Sequence, residues 1–418
     1  MENHDFVSLG RRSLLKGGTA AGVAGLAASS TCSWAASERP VKIGMIDPET
    51  GTYAADGSNE IVGAKFAVEQ INKSGGILGR PVELIVEDSG GRPGQGMMKA
   101  QRLVHRNKVD FLMGTVNSSV SQSISEFAQS HNKLFVVTGG HVDDVTGANC
   151  AWTTFRTCTT TWMLSAGDFE YLFKRFGKRW YFITPDYSYG HAVFANYATL
   201  LKRAGGTVVG NELAPVGTSD FSSYLIGAQA AKPNVLMCLN AGDDLVNLLK
   251  QVVQFGLDRK MAIGGAQQEL ETLQALPKAA LLGWWNFEWY WKQPDVPAVA
   301  PFVESYRTFA NGTYPTARSW FGFASAHAIA LAANRAKTLE TIKVVRALEG
   351  LELPPDIALQ PGPCVYRAAD HQMIANVFPG HVIRNSTYPD MFDVVKVVPG
   401  ASIAKSAAAS GCRMTYPT

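Results

Sequence analysis

The sequence predicts an α/β protein built as two similar halves, each a parallel sheet covered by helices on both faces. Short apolar runs alternate with amphipathic stretches of helical spacing, which marks strand–helix units rather than hairpins or bundles. The alternation restarts after a break near residue 150. The chain has 418 residues, and at ~100–200 residues per domain that length holds about two domains.

In the first half, residues 41–46 read as a strand and 59–72 as a helix, with Ile61, Val62, Ala64, Ala67, Val68 and Ile71 at helical spacing and Ser74-Gly75-Gly76 as its stop. Strands at 82–87, 110–113 and 134–137 alternate with helices at 94–106 and 118–131. After an extended segment at 153–156, helices at 164–176, 190–204, 222–231 and 243–255 alternate with strands at 180–184, 207–209, 235–239 and near Ile263. The helix at 190–204 closes on Gly205-Gly206. Residues 319–348 are Ala-rich and helical, 353–363 form a loop, and two short strands follow.

The N-terminus carries an address. Arg11-Arg12 precedes Ser13, Leu14, Leu15 and Lys16, then a run of Ala, Gly, Ser and Thr to Ser33. This order is the layout of a twin-arginine export leader, and the run is too poor in large apolar residues for a membrane helix, which needs ~20. Ser33-Trp34-Ala35 places cleavage after Ala35, so residues 1–35 are the leader and the mature protein is periplasmic. A lipoprotein reading through Cys32 lacks a Leu three positions earlier. The net charge of +3 is too near neutral to mark nucleic acid or an anionic membrane as a partner. Of six cysteines, five fall in the mature chain and none forms C-x-x-C, which argues against a zinc or thioredoxin-type site; no metal or cofactor is expected. Export permits a disulfide.

The opening Lys42-Ile43-Gly44, Thr50-Gly51, Gly63-Ala64, Ile71-Asn72, Gly75-Gly76-Ile77-Leu78-Gly79-Arg80 and Glu87-Asp88 resembles the start of periplasmic leucine/isoleucine/valine-binding proteins of ABC transporters. Asp186-Tyr187-Ser188-Tyr189-Gly190 and Ser219-Asp220-Phe221-Ser222 extend the resemblance in order along the mature chain. It implies a type I periplasmic-binding fold: two Rossmann-like lobes, joined by three crossing strands near 153–158, 283–289 and 364–369. The first lobe would comprise 39–155 plus 287–364 and the second 156–286 plus 365–418. The partners implied are a small-molecule ligand and the permease subunits of the transporter, with the binding protein a monomer. The resemblance also implies a disulfide between Cys150 and Cys412, with Cys158 and Cys364 as a second candidate pair.

Ligands of open α/β sheets sit beyond the carboxyl ends of the strands, where helix N-termini suit a carboxylate. Gly114-Thr115-Val116-Asn117-Ser118-Ser119 joins a strand to a helix start there, so Asn117, Ser118 and Ser119 are candidates either as caps or as ligand contacts. The resemblance matches Ser118 to a serine that holds the ligand carboxylate. Gly139 and Gly140 would let a ligand approach the backbone. His141, standing where the family places a threonine, reads equally as a ligand donor or a solvated loop residue. Tyr189 corresponds to a pocket tyrosine of the family. Tyr53 and Asp56 fall in the first strand-to-helix loop, where the family often has an aromatic residue. Asn240, at a strand end, points towards the cleft, whereas Cys238 reads as core. The acid with which the family's amino-acid binders hold an ammonium falls at 265–267, ending on Gln267, with Glu269 two residues on. The Trp284-Trp285 and Trp289-Tyr290-Trp291 cluster reads as core, with room for one or two rings in the pocket.

The resemblance therefore implies the solute-binding component of an importer, closing on a hydrophobic amino acid, another small or aromatic carboxylate, or an amide such as urea, with no covalent chemistry. An exported cofactor-dependent oxidoreductase is the alternative. It calls for G-x-G-x-x-G after the first strand, and Asp47-Pro48-Glu49-Thr50-Gly51 stands there instead. Replacing Arg11 and Arg12 with Lys is expected to stop export; unchanged export in a strain lacking the twin-arginine translocase would refute the leader reading.

Overall fold

The computed structural model describes residues 39–417. The leader read at 1–35, with Arg11, Arg12 and Cys32, lies outside them. The first half runs β1 (Val41–Asp47), α1 (Ala54–Lys73), β2 (Val82–Asp88), α2 (Pro93–Gln101), β3 (Phe111–Gly114), α3 (Ser118–Ser130), β4 (Phe135–Val137) and β5 (Thr154–Arg156). The second runs α4 (Thr161–Phe176), β6 (Arg179–Pro185), α5 (Ser188–Arg203), β7 (Thr207–Ala214), α6 (Ser222–Ala231), β8 (Val235–Cys238), α7 (Gly242–Gln254), β9 (Ala262–Gly264), α8 (Leu270–Gln274) and β10 (Trp284–Phe287). Then come α9 (Val299–Phe309), α10 (Ala317–Ala336), α11 (Thr341–Leu348), β11 (Val365–Tyr366), β12 (Met373–Ile374), β13 (Phe378–Thr387) and β14 (Asp390–Val394).

Two sheets form the halves. The first, in order β2-β1-β3-β4-β5, is parallel throughout. The second, β14-β13-β10-β9-β8-β6-β7, has a parallel centre, and the antiparallel β13–β14 hairpin extends it past β10. β3 and β8 are buried along their whole length, as strands covered on both faces must be.

The chain passes between the halves after β5, at Glu288, and between Ile374 and Phe378. Trp289, α9 and α10 pack into the first half's core, as do Cys364, Tyr366, Met373 and Ala375. Phe378 and Val382 join the second half's core. The third passage thus lies past β12, later than the segment 364–369 read from the sequence, because the β11–β12 ladder belongs to the first half. After β14 the tail returns to the first half, where Cys412 is bonded to Cys150 with Cα atoms 5.5 Å apart and Tyr416 packs against Trp152. Cys158 and Cys364, the second candidate pair, are free buried thiols. Trp285 and Trp289 are core residues of the second and first halves respectively.

α1 starts at Ala54, five residues before the sequence reading. Gly57 and Ser58 are weak helix formers, but Gly57 fits under the Pro48 carbonyl, where a Cβ would overlap, so packing overrides propensity. This puts Asp56 on the first turn of a helix rather than in a loop. α10 is buried over most of its surface, and it meets α1 at a reciprocal pair of glycines. A Cβ at Gly63 would overlap the Ser319 carbonyl, and one at Gly322 the Glu60 carbonyl. Gly322→Ala would gain about 1 kcal/mol of helix propensity at an open site, but here overpacking costs about 1–3 kcal/mol. The melting temperature is expected to fall for Gly322→Ala and not for Gly94→Ala, whose added Cβ meets nothing within 4 Å.

Candidate ligand-binding site

The carboxyl ends of both sheets face the space between the halves. On the first wall, Asn117 is the N-cap of α3: its Oδ1 accepts from the Ser119 amide at 2.9 Å and the Val120 amide at 3.3 Å. Ser118 is buried, and its Oγ accepts from the Val142 amide at 3.2 Å, which leaves its own proton to donate. Ser119 Oγ lies 2.9 Å from Ser188 Oγ on α5, a hydroxyl contact between the walls.

Gly139 and Gly140 sit against protein, not open space. A Cβ on Gly139 would overlap Glu60 and Arg318, and one on Gly140 would overlap Ser121 Oγ. The glycines admit these side chains. His141 is buried, not a solvated loop residue. Its Nε2 lies 2.6 Å from Glu288 Oε2. Glu288 Oε1 accepts from the Thr159 amide at 2.9 Å and hydroxyl at 2.6 Å. Burial pushes the His141 pKa down and pushes Glu288 up, but His141 and Thr159 more than offset the latter and hold Glu288 below the usual carboxylate range. The neutral ring thus donates Nε2–H to the carboxylate. Arg156 fixes the His141 loop from behind, donating from Nη1 to the Gly140 carbonyl at 3.2 Å and from Nε to Gln372 Oε1 at 2.7 Å.

Tyrosines cross the cleft. Tyr53 of the first wall lies 6.1 Å from Tyr187 of the second, Tyr187 lies 5.9 Å from Tyr189, and Tyr189 lies 6.2 Å from the His141 ring. Burial raises the phenol pKa of both Tyr53 and Tyr189. Outside this row a groove of about 510 Å³ opens at the rim, lined by Thr52, Tyr53, Asn117, Ser119, Tyr187 and Val216. The walls also meet where the Asp243 amide donates to the Thr52 carbonyl at 3.0 Å. Gly242, at φ 57°, makes that approach possible, since a Cβ would overlap the same carbonyl.

Deeper in, Arg318 of α10 is fully buried among carboxyls. It donates to Glu60 Oε1 at 3.1 Å on its own side, to Glu269 Oε1 at 3.0 Å across the cleft, and to the Gly139 carbonyl at 3.4 Å. Burial pushes Glu60 up to about 7 against the pull of Arg318, and raises Glu269 further. Asp56 lies near enough for Arg318 to act on its carboxyl, and Asn240 and Gln267 are buried past the ends of β8 and β9.

Tyr53, Asp56, Ser118, His141, Tyr189, Asn240 and Gln267 are thus all buried, Ser119 is part-buried at the rim groove, Asn117 caps α3 and the glycines serve packing. Sequence reasoning missed Arg318, Glu60, Tyr187 and Glu288. One signal for Arg318 was present: it heads an Ala-rich helix with no other charge before Arg335 in the last turn, and a charge in such a buried run needs a partner. Glu60 and Glu288 carried no comparable signal, since surface acids look the same.

Residues 40–386 match the family described as periplasmic binding protein. Leu/Ile/Val-binding protein homolog 8 of Brucella suis is 27% identical over 345 residues, 79% of this chain and 85% of that protein. Leu/Ile/Val-binding protein BraC3 of Rhizobium johnstonii is 31% identical over 197 residues, but the match spans only about half of that relative, 53%. A periplasmic binding protein from Burkholderia mallei, known from its crystal structure, superposes with a TM-score of 0.82 at 27% identity, covering 89% of this chain and 98% of that one. With two lobes around a buried polar interior, three passages between them and a family match over most of its length, this chain belongs to the periplasmic binding protein family.

Proposed function

We propose that the protein is the substrate-binding component of an ABC importer, exported to the periplasm, and that it holds one small carboxylate-bearing solute between its lobes for delivery to the permease. The observation that carries this reading is an interior sealed by closure whose two walls are polar. A globular core is apolar, and polar groups are placed there only to meet a partner. The start of α3 suits the carboxylate: it has the positive end of the helix dipole and the free Ser118 proton, with no basic side chain required. Tyr189 covers the solute from the second lobe. The names of the relatives support the same role.

The work done is binding alone, and it needs no cofactor. A solute touching both walls stabilises the closed form by its differential contacts. The permease reads that form.

Three substitutions test this. A thermal-shift screen of small acids and amino acids identifies the solute, and Ser118→Ala should then weaken it about 10-fold to 150-fold by calorimetry, the cost of one hydrogen bond to a charged group. Tyr189→Ala should weaken it with the fold intact. Unchanged affinity in both variants would place the site elsewhere. Gly242→Val, which puts a side chain against the Thr52 carbonyl, should leave the lobes apart in small-angle scattering even at saturating solute.

A further inference from the structure

We propose that shutting the cleft takes up a proton: Glu271 of the second lobe is a carboxylate while the lobes stand apart and a neutral acid once it is buried against Asp56 of the first, so that acid favours closure. The proposal goes beyond the binding reading above and rests on it only in needing the lobes to close. Asp56 is 1% exposed, and both of its carboxylate oxygens, like both of Glu271, are buried with no partner at hydrogen-bond distance. Glu271 lies on α8, which packs against α1, the helix that carries Asp56. The charged and titratable groups in electrostatic reach of Glu271 come from both lobes: Asp56, Arg318 and Tyr306 from the first, Glu269 and Tyr388 from the second. Asp56 is in reach of Glu60, Arg318, Glu269, Asp243 and the phenols of Tyr53 and Tyr187 as well. Opening withdraws the first-lobe groups from Glu271 and lets water reach both acids.

The charge balance calls for that proton. Asp47, Asp56, Glu60, Glu269 and Glu271 all lie in the field of one guanidinium, Arg318. Its Nε and Nη1 are committed to Glu269 and Glu60. Glu288 is matched separately by His141 and Thr159, with Arg156 near. Unpaired carboxylates are so costly to bury that such groups bind protons instead. Asp47 and Glu60 have fixed first-lobe partners, the Thr115 amide and the Thr138 hydroxyl, in either state of the cleft. Glu271 has none, and its surroundings change with closure. Burial pushes it up to about 8, Asp56 adds to the push, and its own amide, Arg318 and the Thr316 hydroxyl offset only part. A carboxyl harder to ionise when buried holds more protons in the closed form. Closure is therefore favoured below the ordinary glutamate value of about 4.3, and loses that advantage as pH rises through about 8. One proton leaves the buffer on closing and returns on opening; no other bond changes.

The test uses the mature protein and needs no solute. Ser119 and Ser188 face each other across the cleft with Oγ atoms 2.9 Å apart, so Ser119→Cys with Ser188→Cys gives a disulfide that forms when the lobes meet. Its rate of formation under one oxidant is followed from about pH 5.5 to about pH 7.5, between the ordinary carboxylate range and the shifted one, with and without Glu271→Gln. The ratio of the two rates cancels the titration of the thiols. Glu271→Gln copies the neutral acid, so it should speed closure by a factor that grows about tenfold per pH unit, the slope of a one-proton linkage. Asp56→Asn, on the opposite lobe, should also make closure less dependent on pH. In potentiometric titration, the oxidised, shut protein should hold at least about one proton more near neutral pH than the same protein reduced and alkylated, and Glu271→Gln should remove about one of them. A rate ratio that stays flat with pH, including a uniform slowing from damaged packing, overturns the inference; so do equal proton counts in the shut and alkylated proteins. Either result leaves the solute reading standing, since Ser118→Ala tests that by itself.

Discussion

One buried guanidinium fixes how the two lobes meet. Removing Arg318 from water carries a penalty of several kcal/mol unless carboxylates surround it at hydrogen-bond distance. Glu60 and Glu269 meet that condition, one from each lobe. α10 can hold Arg318 so close to Glu60 only because Gly63 and Gly322 let two helix backbones touch. The glycine pair, the ion triad and the position of α1 are therefore one arrangement. Because one arm of the triad crosses the cleft, closure has an electrostatic component that belongs to the protein itself.

The passages between lobes are fastened to one another by polar side chains. Glu288, in the second passage, accepts both Thr159 donors of the first and pairs with His141. Gln372, just before the third, receives Arg156 at the start of the first and donates to the Cys158 carbonyl at 2.8 Å. Hydrogen bonds are directional, so these contacts fix the relative orientation of the segments. The three passages are thus held together as one hydrogen-bonded unit.

The alternation of strands and helices was legible because each unit is written locally, in runs of a few residues such as 41–46 and 82–87. The antiparallel β13–β14 hairpin was less so, since nothing in a short strand announces its direction. Asp56 was misplaced because Gly57 and Ser58 hide a helix start that only the Pro48 carbonyl explains. Gly139-Gly140 announced a close approach, but not that Glu60, Arg318 and Ser121 make it. The Arg318 triad joins residues 49 and 258 positions apart, a distance over which a sequence pattern says nothing about contact. Ser118, Tyr189, Asn240 and Gln267 could be placed beyond strand ends from the sequence because a parallel sheet sends the loops after its strands to one edge.

The returning tail has a mechanical consequence. Past β14 the chain leaves the second lobe for a fourth journey across the hinge, and Cys412 anchors it covalently to Cys150 in the first. Tyr416 adds a hydrogen bond of 2.6 Å to Glu349 beyond that anchor. Between Val394 and Cys412 the strap has a fixed contour length, with a waypoint where the Trp162 indole donates to the Ile403 carbonyl at 2.9 Å. Any change in the distance between the lobes has to be taken up by the chain between Ile403 and Cys412. The tail is thus a fourth tether beside the three passages, and its disulfide bounds how far Ile403 can stand from Cys150 to the length of the chain from Ile403 to Cys412.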